Sequence, residues 1–360
     1  MARRKTWTER RPLSSCEVGV LHAFGPGYLH APNHILEFRG SNDRQMRIPL
    51  RGLTLVCLYG PVRVTAGAIR LVTEVGASLA YLSANGQRFN GVLHSPNGNS
   101  TTRRYRQYQA SRDESWRLAQ AKQIVKEKLT TVEESLSHFA KHGKSSDSVR
   151  ALQHDLAELQ LKVQNANSLN ILRGLEGVTA RRWFEVLGQQ LPDGWTLPGR
   201  VKRPPTDPVN ALLSLGYTLL FQRHEAACQA LGLDPAIGTL HEYRQGRASL
   251  ACDLVEPFRI PCVDRLLLAC LNRRQFQPND FTQRDDGSIQ MTQEACQRWV
   301  GACETWWHDS ASGALTYQMQ FIGRVIRLAE NLPELSWPKE PETDTIALDS
   351  NECASVAVPG

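Results

Sequence analysis

Residues 94–100, His94-Ser95-Pro96-Asn97-Gly98-Asn99-Ser100, carry turn chemistry and no hydrophobic period. The pattern of the chain changes across them. Before them, residues 18–24, 34–39, 46–50 and 53–59 are short, partly alternating apolar runs separated by Gly-Pro, Pro-Asn and Gly-Ser breaks. Such runs predict a small sandwich or folded sheet, with one short helix over 66–75. After them, apolar residues recur at helical spacing: Val149, Leu152, Leu156 and Leu159 share one face of a predicted helix over 148–161. Further helices are predicted over 167–187 and 208–231, the latter with Asp207 as cap and Pro208 at its first position. Gly232 and Pro235 stop it. Asp286-Gly287 predicts a small hairpin inside this helical half.

The expected fold class is therefore α+β, a small β-rich N-terminal domain followed by a larger all-α catalytic domain. The expected divisions are a basic arm over 1–15, the β-rich domain over 16–97, the helical domain over 98–335 and an acidic tail over 336–360. From Glu334 onward the chain carries Glu334, Glu340, Glu342, Asp344, Asp349 and Glu352 against Lys339 alone. This stretch is Pro-bearing and poor in large apolar residues, so it is not expected to pack.

The 360 residues are 41% apolar and 22% charged, enough for a core of normal size. No run of 18 apolar residues exists, so no membrane span is expected. The basic start MARRKTWTERRP has no apolar stretch behind it, which argues against a secretory signal. Nine scattered cysteines with no C-x-x-C pair read as thiols of a reducing cytoplasm, not as a zinc ribbon or a disulfide framework. The net charge is +6, and removing the acidic tail leaves a more basic body, which suits a polyanionic partner.

Three segments hold residues capable of chemistry. Glu176 lies between Gly174 and Gly177, and two helical glycines around one carboxylate suggest close backbone approach by something. A plain alternative is a surface glutamate pairing with Arg173. His241 follows a Gly-punctuated entry, and Gly246 marks a turn. Residues 248–256 then read as a short helix that places Asp253 and Glu256 on one face, with Pro257 to break or bend it. Imidazole with carboxylates and no thiolate suits manganese or magnesium. The alternative here is a satisfied histidine and a carboxylate face meeting Arg247 or Arg259. Basic residues beside aromatics form the third signal: Arg103-Arg104-Tyr105-Arg106-Gln107-Tyr108, Arg181-Arg182-Trp183, Lys202-Arg203 and Arg273-Arg274. They read equally as phosphate and base contacts or as a solvated basic face. His22, His30 and His34 make a poor ligand set. No phosphate loop of the G-x-x-x-x-G-K type and no G-x-S-x-G elbow is present.

Three strings, in order and spacing, resemble one family. They are NILRGLEGVTARRWFEVLG (170–188), RPPTDPVNALLSLGYTLL (203–220) and GTLHEYRQGRASLACDLVEPFRIPCVDR (238–265). The family is that of the CRISPR-associated integrase-nucleases, the first and most widespread of the Cas adaptation proteins. The resemblance covers about residues 16–330. It implies a β-rich N-terminal domain and a helical catalytic domain. It also implies a metal site of Mn2+ or Mg2+ held by Glu176 of the L-E-G motif, His241 of the G-x-x-H motif and Glu256 of the D-L-x-E motif. Asp253, the first acid of that last motif, would stand behind the ligands or face DNA, as would Arg247. Pro257 departs from the family, which often has a second Glu there; that position is not a ligand. The implied activity is insertion of short foreign DNA into a CRISPR array by 3′-hydroxyl attack on a phosphodiester, or endonuclease cleavage when water attacks. Implied partners are double-stranded and branched DNA, a second copy of the chain and a small second adaptation protein. Lys202, Arg203 and Arg247 are candidate phosphate contacts. Two other functions fit parts of the sequence: a non-catalytic DNA-binding scaffold, and a metal-dependent phosphohydrolase acting on small phosphoesters.

Overall fold

The apolar run Leu53–Tyr59 is the strand on which both halves of the molecule meet. In the computed structural model, which describes residues 19–40, 45–51, 53–82, 89–93, 99–142, 146–201, 204–308 and 317–334, its side chains alternate between two cores. Val56 and Leu58 pack into the N-terminal core, while Leu55, Cys57 and Tyr59 pack among the helices. A strand covered on both faces reads as continuous apolar sequence, which is why this segment lacks the usual alternation.

The N-terminal half contains β1 (Gly19–Phe24), β2 (Gly27–His30), β3 (Leu36–Gly40), β4 (Gln45–Ile48), β5 (Leu53–Tyr59), β6 (Val62–Val64), α1 (Ala66–Glu74), β7 (Ser78–Leu82) and β8 (Phe89–Leu93). They form two four-stranded sheets, in the orders β1-β5-β7-β8 and β4-β3-β2-β6. In the first sheet β5 runs parallel to β1 and β7, and β8 is antiparallel to β7. Leu29 and Leu36 of one sheet, Val56 and Leu79 of the other, and Ala68 and Val72 of α1 share one buried core.

The helical part contains α2 (Asn99–Arg112), α3 (Glu114–Lys141), α4 (Asp147–Asn165), α5 (Leu169–Gln189), α6 (Pro208–Ala230), α7 (Ser249–Val255) and α8 (Arg265–Asn272). The antiparallel hairpin β9 (Phe281–Gln283) and β10 (Ile289–Met291) precedes α9 (Gln293–His308) and α10 (Tyr317–Glu330). The α+β reading thus holds. α6 is central: Leu212, Leu213, Leu215, Leu219 and Leu220 are buried around it, as in a helix covered on all sides. The Asp207 side chain accepts from Asn210 N–H at 2.8 Å, a cap worth about 1 kcal/mol. Gly216 lets α6 approach its neighbours, since a Cβ there would lie 2.6 Å from Val263 Cγ1.

The helix predicted to end at Glu256 ends one residue sooner. α7 passes into a 3-10 turn, Glu256–Phe258, and then a π turn, Ile260–Asp264. Pro257 and Pro261 lack N–H donors, so the α ladder is interrupted there. Four strands, β2, β6, β7 and β8, and the helices α2, α3, α9 and α10 lie where no element was predicted. No helix among the described residues is long and apolar enough to cross a membrane. The expected basic arm over 1–15 and acidic tail over 336–360, and also Lys202 and Arg203, lie outside the described residues.

Candidate metal centre

Glu176 sits midway along α5, whose Ser168 cap accepts from Ile171 N–H. α3 packs against α5, and its buried stripe of Ala121, Val125, Leu129, Val132 and Leu136 includes one charged residue, Lys128. The Lys128 ammonium donates to Glu176 Oε1 and, at 2.7 Å, to Glu256 Oε2. The two glutamates, distant in sequence, thus face one cation from opposite elements. Arg259, one 3-10 turn beyond Glu256, forms an ion pair with its other oxygen, Oε1, at 2.9 Å.

Glu256 is 3% exposed, and burial alone would raise its carboxyl pKa. The adjacent Arg259 and Lys128 charges outweigh burial and hold it at about 2. Burial would likewise lower the Lys128 ammonium, yet the charges of Glu256 and Glu176 keep it above its ordinary value. Glu256 and Lys128 are therefore both charged at neutral pH. Arg259 is itself held in place: its guanidinium lies 5.1 Å from the Tyr217 ring centroid. Tyr217 and Trp183 both donate to the buried Asp264 carboxylate.

His241 is fixed from behind by Asp253, which is fully buried. Asp253 Oδ1 accepts from His241 N–H at 2.9 Å and lies 2.6 Å from its Nδ1. Asp253 Oδ2 accepts from the N–H groups of Thr239 and Leu240 at 2.5 and 3.0 Å. A carboxylate can only accept, so Nδ1 carries a proton, and in the neutral ring Nε2 is the nitrogen left to bind. The glycine of the G-x-x-H motif follows from this packing. A Cβ on Gly238 would meet His241 O at 2.7 Å and Asp253 Oδ2 at 2.8 Å. His241 stands within electrostatic reach of Glu256.

Several alternatives resolve here. Arg173 does not pair with Glu176; it donates to Leu240 O at 2.9 Å and to Glu242 Oε1 at 2.7 Å, and so ties α5 to the His241 loop. Of the two arginines considered for the acidic face, Arg259 meets Glu256. Arg247 instead donates to Glu242 O and Ser249 Oγ, closing the small turn around Gly246. Apart from the helix's own backbone and the adjacent residues, no atom of the described residues lies within 4 Å of where a Cβ on Gly174 or Gly177 would be, so the close approach expected there is not made by the described residues. The basic-aromatic string after the turn is used internally. Arg103 donates to Leu231 O, Arg106 to Leu332 O and Pro333 O, Gln107 to Asp234 O and Ile237 O, and Tyr108 to Asp234 Oδ2. Lys128 escaped sequence reading because it lies in an unmarked helix and belongs to no motif; a lysine on the apolar stripe of α3 was its only signal.

The donor set suits a hard divalent ion: two carboxylates, already drawn to one cation, and an imidazole whose tautomer is set. Among the described residues, no three His, Cys, Asp or Glu side chains stand close enough together to hold an ion as they are. Lys128 is what lies between the glutamates.

The family model described as CRISPR associated protein Cas1 matches residues 21–305. A CRISPR-associated endonuclease Cas1 of Thermus thermophilus is 32% identical over 290 residues, covering 80% of this chain and 84% of the relative. A solved Cas1 protein from Thermotoga maritima has a similar fold, with a TM-score of 0.72 at 20% identity over 87% of this chain and 97% of that one. A chain of a partial Cas6-RT-Cas1–Cas2 complex matches with a TM-score of 0.68 at 27% identity, over 87% of this chain and 94% of that one. The match runs from the N-terminal sheets through α9, including every residue of the site just described, and the chain belongs to the CRISPR-associated Cas1 family.

Proposed function

We propose that the chain is a divalent-metal-dependent DNA endonuclease and integrase that inserts short foreign DNA into a CRISPR array, with Glu176, His241 and Glu256 as the metal ligands. The observation that carries this reading is the convergence of Glu176 and Glu256 on one cation beside a histidine whose tautomer Asp253 sets. The name and length of match of the Thermus thermophilus relative support the endonuclease part. When bound, a Mn2+ or Mg2+ ion would polarise the phosphoryl group and steady the charge that develops on its oxygens. The chain's own residues do the rest. Asp253 keeps the proton on His241 Nδ1 and so leaves Nε2 to bind. Arg259 neutralises the Oε1 side of Glu256. Arg173 holds the His241 loop against α5. The attacking group is the 3′-hydroxyl of incoming DNA in integration and water in cleavage. Transesterification conserves the number of phosphodiester bonds, so no nucleotide-binding loop is required.

The partners in this reading are double-stranded and branched DNA, a second copy of the chain, and a Cas2 protein, by analogy with the complex matched above. The place of action is the cytoplasm, where thiols such as Cys262 and Cys303 stay reduced. Turnover of branched DNA against a chromogenic phosphoester, each with EDTA or Mn2+, tests the function. Metal-dependent work on DNA alone is expected; turnover of the small ester alone would indicate a phosphohydrolase. Metal-independent binding without turnover would indicate a scaffold.

A further inference from the structure

Lys128 is 4% exposed and is the one lysine among the buried polar and charged residues of the described chain. A lysine in an apolar stripe is costly unless paired, and this one is paired twice. Its partners are Glu176 Oε1 and Glu256 Oε2, one oxygen from each of the two carboxylates proposed to hold the metal. An ion bound by both glutamates would need an oxygen from each, in the gap the ammonium spans. Two cations cannot share that gap: like charges a few ångströms apart in a buried site repel strongly. Arg259 does not compete, because it holds the remaining oxygen, Oε1, of Glu256.

We propose that the Lys128 ammonium is an internal counter-ion of the site. It holds Glu176 and Glu256 together before a divalent ion enters, and the ion displaces it. This inference rests on the metal reading given above. It explains why two carboxylates can be packed between α3, α5 and the turn after α7 while the protein folds, with no ion required for their neutralisation. It also makes metal affinity the difference between two cations' claims on the same oxygens. An internal competitor weakens apparent binding by the fraction of time it occupies the site.

The test uses the whole chain. The protein is stripped with EDTA, divided, and one portion is saturated with Mn2+; both are briefly acetylated and digested, and labelling of Lys128 is read by mass spectrometry against the exposed Lys126. Protection of Lys128 in EDTA and at least tenfold faster labelling in Mn2+ are expected. Equal protection in both overturns the displacement. Calorimetric titration of Lys128→Gln with Mn2+ is expected to show at least tenfold tighter binding than wild type; equal or weaker binding overturns the competition. The labelling needs no variant, so a misfolded Lys128→Gln leaves the test intact. A parallel titration of Glu256→Ala separates the two claims. If wild type binds Mn2+ no better than Glu256→Ala, the metal reading fails and the inference falls with it. If binding depends on Glu256 while Lys128 stays protected, only the inference falls.

Discussion

Asp253 grips His241 twice with one oxygen, at the backbone N–H (2.9 Å) and at the ring Nδ1 (2.6 Å). Its other oxygen accepts the two preceding N–H groups, Thr239 and Leu240. One buried carboxylate thus shapes the G-x-x-H loop and sets the tautomer of its histidine.

Asp253→Asn removes a charge and puts an NH2 group where an acceptor stood. Mn2+ affinity is expected to fall about 10–100-fold, as when residues that orient metal ligands are changed. Stability is expected to fall by about 1–3 kcal/mol, because buried N–H groups lose their acceptor. Manganese titration and urea unfolding check both. Unchanged Mn2+ affinity would show that His241 needs no such support.

Asp264 gives a pH dependence that is independent of any metal. Burial pushes its carboxyl up to about 7, although Tyr217 and Trp183 both donate to it. The unfolded value is about 4, so the folded chain holds the proton more tightly. The stability linked to that proton is fully present below about pH 4 and is lost as pH rises through about 7. Asp264→Asn cannot ionise. The loss of unfolding free energy between pH 5 and pH 8 is expected to be smaller in this variant by about 2 kcal/mol. Identical pH profiles for wild type and variant would contradict the assignment.

Much of this was legible in sequence, for local reasons. Asp207 and Pro208 start α6 where cap chemistry says they should, and Leu53–Tyr59 is apolar enough to read as a strand without context. The 3-10 turn at Glu256 follows from Pro257. Other features were hidden because their cause is tertiary. β7, Ser78–Leu82, is a short run that becomes a strand by pairing with β5 and β8. α3 carries polar residues such as Thr130, Thr131, Glu133 and Glu134 among its apolar positions, so its 28 residues show only a weak amphipathic stripe. At the site, the motifs pointed to Glu176, His241 and Glu256, but no periodicity could bring them together. Arg173, three residues from Glu176, reads as its natural partner, yet the fold sends it to Leu240 and Glu242. The basic string from Arg103 to Tyr108 reads equally as a DNA surface or a solvated basic face, and much of it instead secures backbone carbonyls.

Lys202 and Arg203 remain candidate phosphate contacts, from their place in a Pro-rich connection with Asp207 as the nearest acid. Each phosphate contact contributes a slope of about 0.9 in the dependence of log affinity on log salt for duplex DNA. Lys202→Ala with Arg203→Ala is expected to weaken DNA binding and flatten that slope by up to about 1.8, with Mn2+ affinity unchanged. Fluorescence anisotropy across a salt series reads the slope. An unaltered slope would make the pair a solvated basic loop.

Glu176, His241 and Glu256 are proposed to hold the ion on which the DNA chemistry depends. The most direct measurement is the rate of strand transfer on branched DNA as Mn2+ is added to wild type and to His241→Ala, with melting temperature and DNA affinity matched first. Wild type is expected to be silent in EDTA and to saturate with Mn2+. The variant is expected to stay at least about 10³-fold slower at every Mn2+ concentration, the scale of losing a principal electrostatic stabiliser. A folded, DNA-binding His241→Ala protein with the wild-type rate and the wild-type response to Mn2+ would contradict the account.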